Sequence, residues 1–249
     1  MKTGFVILNY NSYNLTSKLA AAVSAYRNID LVVIVDNKST DDSYEKLKKM
    51  RSSKITVASS ERNGGYGYGN NYGAEICKKN QVDIMLIANP DVEVSEVDVD
   101  LILDSFEHEE YSLLTGVQYE IDGSVGQPVI WTRNNYADDL RECLILKSKK
   151  SNEGISLDES LKIQDIPVFK GSFFAVRLDD YLAVGGFDEN VFLYCEERML
   201  SKRLEDAGKK MGLVTAAKYH HMHSASVSKE YKKAVYWIAA AVLNAAVTF

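Results

Sequence analysis

Asn89-Pro90-Asp91 follows directly on the apolar run Ile84-Met85-Leu86-Ile87-Ala88. Pro90 has no amide proton to give a sheet ladder, so strand pairing stops there and the chain turns outward. Asp91 is thereby carried on rigid support at the carboxyl end of a strand, where open α/β sheets bind ligands. A carboxylate in that place holds its charge at the mouth of a cleft, although the same tripeptide is also a common turn. Two other groups carry chemistry. Glu196-Glu197 offers an acid-base pair; neighbours on a helix point about 100° apart, so only one can face a cleft well. The alternative is a solvated acidic pair favoured by the dipole at a helix start. His220, His221 and His223 fall within four residues and could ligate a cation. A single histidine would ordinarily be packed or on the surface.

The glycine-rich segment Asn63-Gly64-Gly65-Tyr66-Gly67-Tyr68-Gly69-Asn70-Asn71 raises the question of a dinucleotide-binding enzyme. A dinucleotide fingerprint needs its glycines directly after the first strand, with an acid roughly 20 residues further on. Here the acid, Asp36, precedes the glycines, which follow the third strand, so a Rossmann dehydrogenase is disfavoured. No Gly-Lys-Ser/Thr follows the turn, so a phosphate P-loop fails as well.

These residues need elements to position them. Phe5-Val6-Ile7-Leu8, Leu31–Val35, Ile55–Ala58 and Ile84–Ala88 read as strands buried on both faces. Helical patterns alternate with them: one through Leu15, Leu19, Ala22, Val23 and Tyr26, a polar one from about Asp42 to Met50, and one from about Gly69 to Lys79. This alternation predicts an α/β domain whose mostly parallel sheet is covered on both faces. Parallel strands bring Asn9-Tyr10-Asn11-Ser12, Asp36-Asn37, the glycine segment and Asn89-Pro90-Asp91 to one sheet edge, which predicts a polar ligand site there. From about Leu113 the pattern changes to short strand-like pieces with a turn at Asp122-Gly123, then a charged segment through Glu153. Val168–Val176 reads as a strand, Leu178–Val184 as a short helix, and Tyr194–Ala207 as a helix ended by Gly208.

Composition bounds the setting. The chain has 249 residues with a net charge of −6, which argues against a nucleic-acid partner. Three widely spaced cysteines, Cys77, Cys143 and Cys195, make neither a disulfide framework nor a zinc spacing. A reducing, cytoplasmic setting is therefore expected, and the chain enters a strand at Gly4 without a signal-peptide core. Ala234–Phe249 is apolar over 16 residues, short of the roughly 20 that span a bilayer. Lys229, Lys232 and Lys233 precede it, an arrangement that suits an interfacial helix at the inner face of the plasma membrane or equally a homodimer contact.

In order along the chain, the motifs resemble the inverting glycosyltransferases of family 2, with a Rossmann-like GT-A fold, and within them the bacterial rhamnosyltransferase-type enzymes of surface-polysaccharide assembly. The resemblance rests on Val6–Asn11, Val35–Asp41, Asn63–Gly67 with Asn70-Asn71, Ala88–Asp91, Lys170–Arg177, Gly185–Glu189, Phe192–Glu197 and His220–Ser226. It implies a catalytic domain over 1–228, with a nucleotide-sugar half at 1–110, an acceptor and catalytic half at 111–228, and a separate helix at 229–249. It further implies that Asp36 bonds the nucleotide base, with Asn9 and Asn11 near base and ribose. Asn63, Gly65 and Asn70 would line the nucleotide and diphosphate, and Asn89 and Gly171 would contact substrate. Asp91 and His221 would hold Mg²⁺ or Mn²⁺. Asn89 stands where the family commonly has a first aspartate, which leaves one carboxylate fewer. The family usually has Glu-Asp followed six residues later by Arg, so counting back from Arg203 makes Glu197 the catalytic base and Glu196 a supporting acid.

The implied partners are a nucleotide-diphosphate sugar (dTDP-rhamnose or a UDP-hexose) and a glycan or lipid-linked saccharide acceptor. Trp131, Tyr136 and the charged stretch from Arg133 to Lys150 read as a flap over the acceptor side. Trp131 would stack on a sugar ring, or else belong to the core. Two alternatives stand beside this reading. A nucleotidyltransferase would carry a basic glycine-rich loop after the first strand, and Asn9-Tyr10-Asn11-Ser12 is not one. A sugar-nucleotide-binding protein with impaired catalysis would account for Asn89 and for Glu197 in place of aspartate.

Overall fold

A computed structural model describes residues 1–107, 110–132, 154–193 and 196–222. The expectations for His223, Tyr136, the 133–150 flap and the 229–249 helix lie outside the described residues. In chain order the elements are β1 (Thr3–Asn9), α1 (Tyr13–Ser24), β2 (Leu31–Asp36), α2 (Ser43–Leu47), β3 (Ile55–Ser59), α3 (Gly65–Lys79) and β4 (Ile84–Ala88). There follow β5 (Val92–Val94), α4 (Glu96–Ser105), β6 (Tyr111–Tyr119), β7 (Ile163–Asp165), β8 (Phe173–Arg177), α5 (Leu178–Ala183), α6 (Glu196–Asp206) and β9 (Lys210–His221). Among the described residues no helix is long and apolar enough to cross a membrane.

The strands form one sheet in the order β3-β2-β1-β4-β8-β6-β9-β5, with β7 beside β9. β1 to β4 are mutually parallel, as the alternating pattern predicts. β8 then runs antiparallel between β4 and β6, β9 lies parallel to β6, and β5 and β7 run antiparallel to β9. Six strands share one direction, so the sheet is mostly parallel. Apolar clusters fill both faces. Phe5, Ile7, Val32, Ile34 and Leu86 pack on one side; Val6, Val33, Val35, Met85 and Ile87 pack on the other. Alternate residues of continuous apolar strands point to opposite faces, which is why these runs carry no polar alternation.

Three elements differ from the sequence reading. α3 begins at Gly65, four residues earlier than expected, because its glycines serve packing rather than a turn. A Cβ on Gly69 would fall 2.2 Å from Leu8, and one on Gly73 would fall 2.5 Å from Val6, so the helix lies directly on β1. The strand expected from Val168 starts only at Phe173; Val168 itself makes a single bridge to Trp131. α4 was not read from the sequence, although Ser95 caps it by accepting from the Asp98 amide at 3.2 Å.

β9 carries the decisive irregularity. Gly116 pairs with Val214 and the next residue, Val117, pairs with Lys218, so Thr215–Ala217 bulge out of the ladder. A Cβ on Gly116 would stand 2.9 Å from the Ala217 carbonyl, so this glycine makes room for the bulge. Bulges bend a strand and raise its twist. The far half of β9 accordingly reaches β5, where His221 pairs with Val92.

Gly73→Ala tests the helix–sheet contact. Helix propensity alone would favour alanine by about 1 kcal/mol, but Val6 is fully buried and stiff at χ1. Overpacking should dominate, with a net loss of about 1–3 kcal/mol in urea unfolding; a gain in stability would refute the contact.

Candidate functional site

A cleft of about 710 Å³ opens at the carboxyl ends of β1, β2 and β4. Its lining includes Asn63, Gly65, Asn89, Asp91, Trp131, Gly171, Glu196, Glu197 and His221, so nine of the residues singled out from sequence share one cavity. Asn9, Asn11, Asp36 and Asn70 do not line it. Tyr10, Asn37 and Lys170, from the quoted motifs, line it too, as do Glu120 and Gln118, which belong to none of them.

The polar edge is built by short strands that end together. β4 stops at Ala88, the Asn89 amide donates to the Ser172 carbonyl at 2.9 Å, and the Val92 amide closes the turn on the Asn89 carbonyl at 3.1 Å. Asp91 then lies beside the end of β9: its carbonyl accepts from the Met222 amide at 3.0 Å, and its Oδ1 stands 3.4 Å from His221 Nε2. Their side chains are only 10 and 15% exposed, so the pair is walled in by protein on all sides but the cleft.

Glu196 and Glu197 open α6, as the helix pattern requires. Glu196 is buried and Glu197 partly buried, both at the cleft wall. Desolvation raises the Glu197 carboxyl above the ordinary glutamate range; its own amide, Arg198 and the Gly171 amide pull the other way. A Cβ on Gly171 would come within 2.3 Å of Glu197 Oε1, so only glycine leaves room for this carboxylate. Glu197 is thus a desolvated carboxylate with a raised pKa, packed against Gly171 at the cleft wall.

On the β1–β2 side, Asn9 and Asp36 are buried and face each other. Asn9 Nδ2 donates to Asp36 Oδ1 at 2.8 Å, and the Ser39 hydroxyl and amide also donate to that carboxylate, at 2.6 and 3.0 Å. Asn11, at φ +51°, accepts from the Thr40 amide at 2.9 Å and braces the same loop. Asn37 links this wall to the glycine segment: its Nδ2 donates to Asn63 Oδ1 at 3.0 Å and to the Gly65 carbonyl at 2.9 Å. Asn70 Nδ2 donates to the Tyr66 carbonyl at 3.1 Å inside α3. The glycines were expected to admit a ligand; Gly65, at φ +92°, lines the cleft and also admits the Phe192 carbonyl, 2.0 Å from where its Cβ would be.

Across the cleft, Trp131 is partly exposed and Lys170 Nζ donates to the Gly126 carbonyl at 2.9 Å. Burial lowers the Lys170 ammonium to about 8, against the pull of Glu120. Gln118 Nε2 donates to Glu120 at 3.0 Å, and Gln118 Oε1 accepts from Ser172 and Tyr219 at 3.3 and 3.2 Å. Lys170 opens a quoted motif, but Glu120 and Gln118 lie in a stretch without periodic signal. Only the sheet order brings them here.

The model of the family "Glycosyl transferase family 2" matches residues 5–177, more than half of the sequence. The chain belongs to glycosyl transferase family 2. Rhamnosyltransferase WbbL of Escherichia coli (strain K12) is 27% identical over 185 residues, 70% of this chain and 67% of that relative. Within the family this transferase is rhamnosyltransferase-like. Its fold is GT-A. GalNAc-T7, solved with UDP, GalNAc and Mn²⁺, superposes with a TM-score of 0.67 at 13% identity over 91% of this chain. This chain spans only 44% of the length of GalNAc-T7. The mannosyltransferase PcManGT of Pyrobaculum calidifontis, solved with GDP-Man and Mn²⁺, gives 0.62 at 12% identity over 99% of this chain and 75% of its own.

The Asp91–His221 pair fits an ion only in part. One carboxylate oxygen from the turn before β5 and one imidazole nitrogen from the end of β9, 3.4 Å apart, can share a Mn²⁺ or Mg²⁺. Among the described residues no group of three histidine, cysteine or acidic side chains could enclose one. The donor set therefore suits a cation that takes its remaining ligands from substrate oxygens and water, as Mg²⁺ commonly does.

α6 of this transferase is anchored by Arg203, which donates to Asp188 at 3.0 Å and to the Gly186 carbonyl at 3.0 Å. That loop is also gripped by Asn71 of α3, which donates to the Phe187 carbonyl at 2.9 Å and accepts from the Phe187 amide at 3.0 Å. Arg203→Ala should lower stability by about 1–2 kcal/mol through loss of charge-assisted bonds. A thermal midpoint equal to wild type would remove the anchor from the account.

Proposed function

We propose that this chain is an inverting glycosyltransferase that moves a hexose or deoxyhexose, rhamnose foremost, from a nucleoside-diphosphate sugar to a hydroxyl of a glycan or lipid-linked saccharide in bacterial surface-polysaccharide assembly. One observation carries the reading: a desolvated Glu197 and the Asp91–His221 pair line one cleft of a family 2 chain. The 27% identity to a rhamnosyltransferase supports the donor sugar.

In this reading Glu197 accepts the acceptor hydroxyl proton while that oxygen attacks the anomeric carbon from the face opposite the diphosphate. The bond to the acceptor oxygen forms as the bond to the diphosphate breaks, so configuration inverts without a sugar–enzyme intermediate. Glu196 supports the base. Asn63, Gly65 and Asn89 contact the nucleotide diphosphate, with Gly171 at the base and Trp131 stacked on a sugar ring. Asn9, Asn11 and Asp36 shape the nucleotide-base wall, and Asn70 braces the turn that carries Tyr66. Asp91 and His221 would hold Mg²⁺ or Mn²⁺, which when bound offsets negative charge on the departing diphosphate.

Incubation with dTDP-rhamnose, UDP-glucose, UDP-N-acetylglucosamine and GDP-mannose in Mn²⁺ should release a nucleoside diphosphate from at least one of them. Tight binding with no release from any would favour the binding-protein alternative. Asp91→Asn should raise the Mn²⁺ concentration needed for half-maximal rate, read by metal titration; an unchanged requirement would remove Asp91 from the metal site.

Glu197→Gln should keep donor binding and lose about 10²–10⁴-fold in rate. Wild-type kcat/KM should fall as pH drops through the raised Glu197 value, so the acid limb lies above the roughly 4.3 of a free glutamate. The linked stability has the opposite sense. A raised carboxyl favours folding below its unfolded pKa and loses that contribution as pH rises through the folded one. Glu197→Gln should therefore be no less stable than wild type at neutral pH.

A further inference from the structure

Tyr66 belongs to none of the roles above, yet it touches every part of the base platform. Its hydroxyl donates to the Gly171 carbonyl at 2.6 Å. The same glycine packs directly on Glu197: a Cβ there would come within 2.3 Å of Glu197 Oε1, and its amide is among the groups that favour the ionised carboxylate. The carbonyl and the amide belong to successive peptide units of one residue, so holding the carbonyl restrains the rotation that aims the amide. The next carbonyl, of Ser172, is tied to the Asn89 amide at 2.9 Å.

The phenol is itself held in place. The Tyr66 amide donates to the Phe192 carbonyl at 3.0 Å, four residues before α6 opens, and its ring meets Phe187 edge-on at 5.4 Å. Gly65, directly before it, makes the approach to Phe192 possible. Burial and the two glutamates hold the phenol well above its ordinary range, so it stays a hydrogen-bond donor.

We infer that Tyr66 is a positioning residue for the base: its hydroxyl orients the Gly171 peptide, and that peptide orients Glu197. This rests on the reading of Glu197 as the base. The consequence is a direct coupling between the two halves of the cleft. Asn63, just before α3, and Gly65 and Tyr66, its first two residues, serve the nucleotide side and the catalytic side within four positions, so donor contact and base geometry share one short segment.

Tyr66→Phe removes the hydroxyl and keeps the ring contact and the amide bond. With the donor that turns over best, kcat should fall roughly ten- to a hundredfold, the range for a misplaced reacting group, while donor KM stays at the wild-type value. The second readout needs no turnover. Glu197 can be followed by ¹³C carboxyl titration, assigned by its absence in Glu197→Gln. In Tyr66→Phe its midpoint should move to higher pH, because a slack Gly171 amide favours the ionised form less. Glu196 and Arg198 on the same helix, Tyr219 from β9, Lys170 beside Gly171 and the Asp91–His221 pair across the cleft are unchanged in that variant. An unmoved Glu197 midpoint overturns the proposal, whatever the rate does. Placed on Glu197→Gln, the Tyr66→Phe change should add no further loss; additive losses also overturn it. Failure of the base reading looks different, since Glu197→Gln alone would then transfer sugar at the wild-type rate.

Discussion

The antiparallel pairing of β8 with β4 is the constraint on which the site depends. Ala88 lies opposite Phe173, so the end of one strand meets the start of the other. Parallel pairing would have carried Gly171 to the far edge of the sheet. Antiparallel pairing instead sets Asn89-Pro90-Asp91 against Lys170-Gly171-Ser172, and the Asn89–Ser172 bond fixes the seam. The Asp91–His221 pair and the Gly171–Glu197 contact therefore share a wall, although some eighty residues separate Asp91 from Gly171 in sequence.

A second constraint is close approach. α3 can sit on β1 and grip the 186–192 loop because glycines face Val6, Leu8, Phe187 and the Phe192 carbonyl. The same helix supplies Asn71 to that loop and Tyr66 to Gly171. A helix begun four residues later, as the glycine run suggested, would keep Asn71 but leave Tyr66 outside it. The glycines thus act on the chemistry indirectly, through how tightly the two halves of the cleft are joined.

Burial tunes the charges in this cleft. Glu197 rises because protein replaces water around it, and Lys170 falls to about 8 for the same reason. Asp36 stands apart, its carboxylate occupied by Asn9 and Ser39 behind the wall. A side chain can thus lie at the expected edge and still act by holding the wall rather than by meeting solvent.

The parallel strands β1 to β4, the turn at Asp122-Gly123 and the end of α6 at Gly208 were legible in the sequence. Apolar runs, proline and glycine impose local geometry wherever they occur. The family was legible too, because its motifs keep their order along the chain. Other features had no local signature. The bulge that turns β9 toward β5, and so brings His221 to Asp91, arises from a pairing between Gly116 and residues about a hundred positions away. Glu120 and Gln118 reached the cleft through the sheet order alone. Residue type and local spacing determined which groups this chain can offer and the edge at which most of them stand. Only the tertiary structure decided which of them face one another, because non-local pairing and close packing set those distances.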